Sequence, residues 1–74
     1  MEEQIKIRVV VTVRNGNVYH SDFQLVTEEE LNRLKQMFKN FRSLTHLEIT
    51  DEFGDITFFH PDNLSEVTIR IIND

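Results

Sequence analysis

The sequence predicts an α+β domain with the element order β-β-α-β-β-β, in which one helix packs on one face of a five-stranded antiparallel sheet. Apolar residues recur at helical spacing only within residues 26–42, where Leu31, Leu34 and Phe38 share one face. Elsewhere they alternate with polar residues, as in strands that bury one face. A single helical segment among strand-like segments therefore indicates a helix laid across a sheet.

Composition limits the classes of protein to which the chain can belong. Its 74 residues predict one domain, residues 1–74, because a core of this size buries only about 60% of the surface of the unfolded chain. It has no cysteine, and its net charge of −5 argues against a general nucleic-acid binder. The acidic first residues are unlike a secretion signal, and no apolar run approaches the roughly 20 residues that span a bilayer. We expect a cytoplasmic protein without a membrane segment.

The first two strands form a hairpin around Asn15 and Gly16. Residues 5–13 and 18–25 supply the strands, and Asn-Gly is a strong hairpin signal. A three-residue loop with Gly16 in the left-handed conformation brings the apolar residues of both strands to one face, and a bulge further along would do the same. The loop predicts three pairs: Val11 with Tyr19, Ile7 with Phe23, and Ile5 with Leu25.

The helix carries its own start signal. Thr27 and Glu30 have the spacing of a capping box, and Val26 precedes Thr27 where it can pack against Leu31. Acidic residues fill the first turn and basic residues follow later, as the helix dipole favours.

Three more strands follow the helix, within residues 45–50, 56–59 and 67–71. A four-residue turn, residues 51–54, would pair Ile49 with Ile56 and Leu47 with Phe58. The first and last strands run antiparallel and are rich in Val and Ile, so we place them side by side in the order 2-1-5-4-3, with 2-1-3-4-5 as the alternative. The predicted core consists of Ile5, Ile7, Val9, Val11, Tyr19, Phe23, Leu25, Leu31, Leu34, Phe38, Phe41, Leu47, Ile49, Ile56, Phe58, Val67, Ile69 and Ile71.

No pattern in the chain predicts catalysis, a cofactor or a metal site. The serines stand beside no obvious base, and both glycines are explained by turns, which leaves no phosphate-binding loop. His46, Glu48 and His60 are too few for a closed zinc site without cysteine. We expect a protein that is not an enzyme.

One helix covers only part of a five-stranded sheet, and the uncovered face is the predicted binding surface. Its apolar residues are Val10, Val18, Phe59 and Ile72. Exposed apolar surface and open sheet edges are where partner chains bind, so we predict an accessory or regulatory module that binds another protein or a second copy of itself.

The alternative hypothesis is nucleic-acid binding on the same face. Lys6, Arg8 and Arg70 would contact phosphates there, and Phe59 would stack on bases. Asp22, Glu48 and Glu66 are predicted on that face as well, which makes nucleic acid the less favoured partner.

Residues 51–55, followed by residues 58–64, resemble the C-terminal hairpin of small bacterial and prophage-type proteins. The resemblance implies an accessory or regulatory protein that acts by binding. It assigns no role to any single residue.

Overall fold

The structure, a computed structural model, describes residues 3–73 and confirms an α+β fold with one α-helix and antiparallel strands. It has six strands in two sheets, however, where the sequence predicted five strands in one. Short 3₁₀ turns at Phe41–Ser43 and Pro61–Asn63 precede β4 and β6. The elements are β1 (Ile5–Val13), β2 (Val18–His20), β3 (Gln24–Val26), α1 (Glu28–Lys39), β4 (Leu47–Thr50), β5 (Ile56–Phe59) and β6 (Leu64–Ile71).

Strand β1 is the centre of sheet A, which consists of β1, β2, β3 and β6. It pairs with β6 along one edge and with β2 and then β3 along the other. The prediction that the first and last strands are antiparallel neighbours is therefore confirmed. Both predicted strand orders are wrong, because β4 and β5 pair with each other as a separate sheet B. Sheet B joins sheet A on its β2–β3 side, where the Asp22 N–H donates to the Thr50 carbonyl at 2.9 Å.

Ser21 divides the predicted second strand into β2 and β3. The pairing of Val11 with Tyr19 is confirmed, but from Gln24 onward the register is shifted by one residue. The Ser21 hydroxyl accepts from the Val9 N–H at 2.9 Å, in the place where the carbonyl of a regular ladder would accept. The shift turns the side chains of Phe23 and Leu25 to the opposite face, so their predicted pairs with Ile7 and Ile5 are wrong.

The capping box that the sequence predicted begins helix α1. Thr27 Oγ1 accepts from the Glu30 N–H at 3.2 Å, and Glu30 Oε1 accepts from the Thr27 N–H at 3.1 Å. The second of these bonds lowers the pKa of Glu30 below its usual 4.5. Val26 and Leu31 are buried together against Ile7 of β1, as the predicted contact between them required.

The β4–β5 hairpin has a tighter turn than predicted. Asp51 and Asp55 close a three-residue loop that ends at Gly54, whose φ is +85°, close to the +95° of Gly16 in the β1–β2 loop. The Asp51 carboxylate fixes the loop by accepting from the N–H groups of Phe53 and Asp55. Compared with the predicted four-residue turn, the register moves by one residue. The observed pairs are Leu47 with Phe59 and Ile49 with Thr57.

The core lies between one face of β1 and β6 and the layer formed by α1 and sheet B. Its larger cluster consists of Val9, Val11, Phe38, Leu47, Ile49, Phe59 and Leu64. Each fully buried aliphatic side chain contributes about 1.5–3 kcal/mol. Six predicted core residues are instead exposed: Tyr19, Phe23, Leu25, Ile56, Phe58 and Ile71. Six residues outside the predicted core are buried: Val10, Ser21, Val26, Phe59, Pro61 and Leu64.

Candidate interaction surfaces

One face of sheet A lies opposite the core and is not covered by α1. At its β2 side, Arg8, Val18 and His20 line a pocket together with Asp51, Glu52 and Phe53 of the β4–β5 hairpin. The face carries the even-numbered residues of β1 and, from Glu66 onward, those of β6, together with side chains from the β2–β3 edge. Phe23 and Leu25 reach this face because of the register shift at Ser21. We call it the open face and define it by Lys6, Arg8, Val10, Thr12, Val18, His20, Phe23, Leu25, Glu66, Thr68, Arg70 and Ile72.

The structure separates the four apolar residues predicted for the interaction face. Val18 is exposed and Ile72 is half-buried, and both lie on the open face. Val10 lies there too, but its side chain is only 8% exposed because it stands on the central strand between β2 and β6. Phe59 is 7% exposed and points into the core, since the register of β5 is one residue away from the predicted one. Its assignment to the interaction face was wrong.

The three cations of the nucleic-acid hypothesis come together on the open face. Lys6 Nζ lies 4.8 Å from the centre of the Phe23 ring, and the Arg8 guanidinium carbon lies 4.3 Å from it. Arg70 stands directly opposite Arg8 on β6. Arg8 Nε also donates to the Ser21 carbonyl at 2.9 Å. Within residues 3–73, none of these three cations has a carboxylate within 4 Å.

Phe23 and Leu25 are the open-face residues that the sequence analysis missed. Both were predicted to be buried, yet Leu25 is 61% exposed and Phe23 carries the two stacked cations. The available signal was Ser21-Asp22, which interrupts the strand with two residues whose side-chain oxygens bond to nearby backbone groups.

Sheet B presents a second exposed apolar surface. Ile56 and Phe58 point away from the core, and Phe58, at 66% exposure, has its ring centre 6.1 Å from that of His46. Phe53 at the tip of the loop is 82% exposed. Residues 43–69 contain six acidic residues and no Lys or Arg. We call this surface the hairpin face and define it by His46, Glu48, Thr50, Glu52, Phe53, Ile56 and Phe58.

A cleft of about 560 Å³ lies between α1 and β4. We call it the helix–hairpin groove and define it by Val9 at its base, apolar residues on both walls, and Asp22 and Glu48 at its rim. The helix wall carries Leu34, Met37 and Phe38, and the strand wall carries Leu47 and Ile49.

Ser21, Ser65 and His60 have local structural roles. The Ser21 hydroxyl donates to the Asp22 carbonyl in addition to accepting from Val9, and Ser65 donates to the Thr12 carbonyl. His60 Nδ1 accepts from the Asp62 N–H and caps the 3₁₀ turn before β6. Across residues 3–73, no group of three or more His, Asp or Glu side chains is placed to hold a metal ion.

None of the helices in the described residues is both long enough and apolar enough to cross a membrane. No protein-family model matches the chain, and neither a curated protein nor a solved structure is similar enough to it to count as a match.

Proposed function

We propose that this chain is a non-catalytic protein-interaction module that binds through its open face. The observation that carries the proposal is a row of side chains across three strands, in which Leu25 and Ile72 flank Lys6 and Phe23 lies beside it. Large apolar side chains on a continuous, uncovered sheet face are typical of partner-binding surfaces in small soluble domains. The half-buried Ile72 and the exposed Leu25 would lose their remaining contact with water in such a complex.

Charge indicates what chemistry the partner presents. Lys6 stands within the apolar row, and Arg8 and Arg70 lie beside it. Burying these three cations without anionic partners would cost several kcal/mol per ion. A suitable partner surface therefore combines apolar side chains with carboxylates.

The hairpin face of a second copy has that composition. Phe53, Ile56 and Phe58 are its exposed apolar residues, and Glu48 and Glu52 are its acidic ones. Because the two faces differ, the contact is heterologous, and it leaves one free face at each end of a dimer. Self-association of this kind extends to short chains or closes into rings.

Light scattering over a range of concentrations tests this proposal. We expect the wild-type mass to rise with concentration, and we expect Leu25→Asp to hold the chain as a monomer because it places a charge in the apolar row. Gln36→Glu, an exposed helix position outside both faces, is the control and should associate as the wild type does. A wild-type chain that stays monomeric at every concentration contradicts self-association.

A peptide probe separates that failure from failure of the open face itself. We expect a short synthetic peptide of alternating glutamate and phenylalanine to shift the NMR amide signals of β1 and β3. A peptide of alternating lysine and phenylalanine should leave the amide signals of Lys6 and Arg70 unchanged, because neither residue lines the helix–hairpin groove. If a monomeric chain still binds the acidic peptide, only the second-copy partner is refuted. If the acidic peptide does not bind either, the proposal of a protein partner for the open face is refuted.

Nucleic acid is the second candidate partner, and the three cations without carboxylate partners favour it. The Phe23 ring already carries Lys6 and Arg8, which leaves less of it for stacking on a base. If a single-stranded DNA oligonucleotide binds, its affinity should fall steeply with salt, and Arg70→Ala should reduce the slope by about one. An affinity insensitive to salt argues for the protein partner.

A further inference from the structure

We propose that the helix–hairpin groove binds an extended peptide segment of alternating apolar and basic residues, which adds to the free edge of β4. This site is separate from the open face and does not require that face to bind a partner, although it shares His46, Glu48 and Thr50 with the hairpin face. Addition of a strand to an exposed sheet edge is a general mode of peptide recognition, in which main-chain hydrogen bonds give affinity and side-chain pockets give specificity.

The hydrogen-bond pattern of the hairpin fixes which backbone groups of β4 face the groove. The Asp51 N–H donates to the Asp55 carbonyl, so this pair is hydrogen-bonded across the hairpin. In an antiparallel ladder, Thr50 and Glu48 then direct their N–H and C=O groups away from β5. The Thr50 carbonyl confirms this direction, because it accepts from the Asp22 N–H of the neighbouring segment.

Glu48 is therefore the free part of the edge. Its N–H and C=O have no hydrogen-bond partner within residues 3–73, and no residue of β5 lines the groove beside it. The hydrogen bond from the Asp22 N–H to the Thr50 carbonyl closes one end of the groove. It is the kind of main-chain bond that a strand added to the free edge of β4 would make. A peptide can extend that pairing along β4 toward residue 46.

The interior of the groove selects apolar side chains on one face of the peptide. A strand paired with β4 directs alternate side chains to the side of Leu47 and Ile49. On that side the groove is bounded by Leu34, Met37 and Phe38 of α1. The volume of about 560 Å³ is sufficient for apolar side chains of ordinary size.

The rim of the groove selects basic side chains on the other face. Asp22 and Glu48 stand there, and none of the described groove-lining residues is Lys or Arg. Glu48 and its neighbour His46 point to the same side of β4, opposite Leu47 and Ile49. A partner that alternates apolar and basic residues matches both walls of the groove.

Hydrogen exchange of the Glu48 amide tests the proposal, with a short peptide of alternating valine and lysine as the probe. A main-chain bond from Glu48 to the peptide should slow exchange about tenfold or more at saturation. The same peptide with glutamate in place of lysine should leave the rate unchanged. An unchanged rate with the lysine peptide at millimolar concentration overturns the proposal.

Matched variants separate groove binding from general charge attraction. Met37 is exposed at the helix wall of the groove, so Met37→Lys should weaken binding of the lysine peptide at least tenfold. Gln36→Lys makes the same charge change outside the groove and should bind as the wild type does. Equal weakening by both variants would show that the peptide only senses net charge, and this refutes the site. Leu25→Asp on the open face should leave binding intact.

Discussion

The open face and the hairpin face are both exposed sheet surfaces with large apolar side chains, but their charges are opposite. The open face carries Lys6 within its apolar row and Arg8 and Arg70 beside that row. The hairpin face belongs to residues 43–69, which lack Lys and Arg. The net charge of −5 describes neither surface. A total over the whole chain therefore says little about what each face of a small domain binds.

The two faces also differ in how firmly they are attached to the core. The open face belongs to a sheet whose central strand is hydrogen-bonded on both edges. The hairpin face belongs to a two-stranded sheet, and Asp22 and Thr50 form its one backbone hydrogen bond to sheet A among the described residues. Side-chain packing must therefore hold the hairpin in place, with Phe59 at its centre.

Replacement of Phe59 should give the largest effect. Phe59→Ala removes a buried ring whose centre lies 5.2 Å from that of the Tyr19 ring. It should lower the free energy of unfolding by about 3–5 kcal/mol. Phe58→Ala, the exposed neighbour, should change it by less than about 0.5 kcal/mol. Urea denaturation measures both. A larger loss of stability for Phe58→Ala than for Phe59→Ala would contradict the observed register of β5 and support the one predicted from the sequence, in which Phe58 faces the core.

Replacement of Ser21, where the register shift turns Phe23 and Leu25 to the open face, should have the second-largest effect. Ser21→Ala leaves the Val9 N–H without its acceptor and should lower the free energy of unfolding by about 1–3 kcal/mol. Ser43→Ala removes an exposed hydrogen bond to the Asn40 carbonyl and serves as the control, with a smaller expected cost. Equal stability of the Ser21→Ala and wild-type chains would mean that the register shift between β2 and β3 does not depend on the hydroxyl.

The two turn glycines give a direct comparison between the sheets. Each has a positive φ, and a Cβ added at either position would meet no atom within 4 Å. Gly16→Ala and Gly54→Ala should therefore each cost about 1–2 kcal/mol, from backbone strain alone. In hydrogen exchange, we expect Gly54→Ala to raise the rates of β4 and β5 amides and to leave β1 and β6 unchanged. Uniformly faster exchange in both sheets would show that the hairpin does not open separately.

The smallest effect lies at the helix start, outside both faces. Because Thr27 donates to the Glu30 carboxylate and lowers its pKa, folding favours the charged form. This contribution to stability is present above the usual value of 4.5 and is lost as the pH falls through the lowered pKa. Glu30→Gln should remove that part of the pH dependence in urea titrations, while Glu28→Gln retains it. An unchanged pH profile for Glu30→Gln contradicts the capping box.

The local features of the fold could be predicted from the sequence. The capping box at Thr27, the three-residue loop at Gly16 and the antiparallel neighbours β1 and β6 were all visible as residue types at fixed spacings. The Gly54 loop was not, because a glycine at its end fits both three and four residues. Adjacent Phe58 and Phe59 give the same apolar pattern in either register.

The open face could be predicted from the sequence only in part. Alternation placed Lys6, Arg8 and Arg70 on one face correctly, because β1 and β6 keep their register through these residues. Phe23 was assigned to the core, because a side-chain hydroxyl that replaces a ladder carbonyl leaves no periodic trace in the sequence.

Mixing two variants tests most directly whether the open face and the hairpin face bind each other. Leu25→Asp disables the open face and Phe58→Asp disables the hairpin face, and both positions are exposed, so both chains should fold. We predict that each variant alone is monomeric by light scattering and that the mixture forms a one-to-one complex, since each chain retains the face that the other lacks. A mixture that scatters as two monomers, or a single variant that associates as the wild type does, would contradict the complementarity of the two faces.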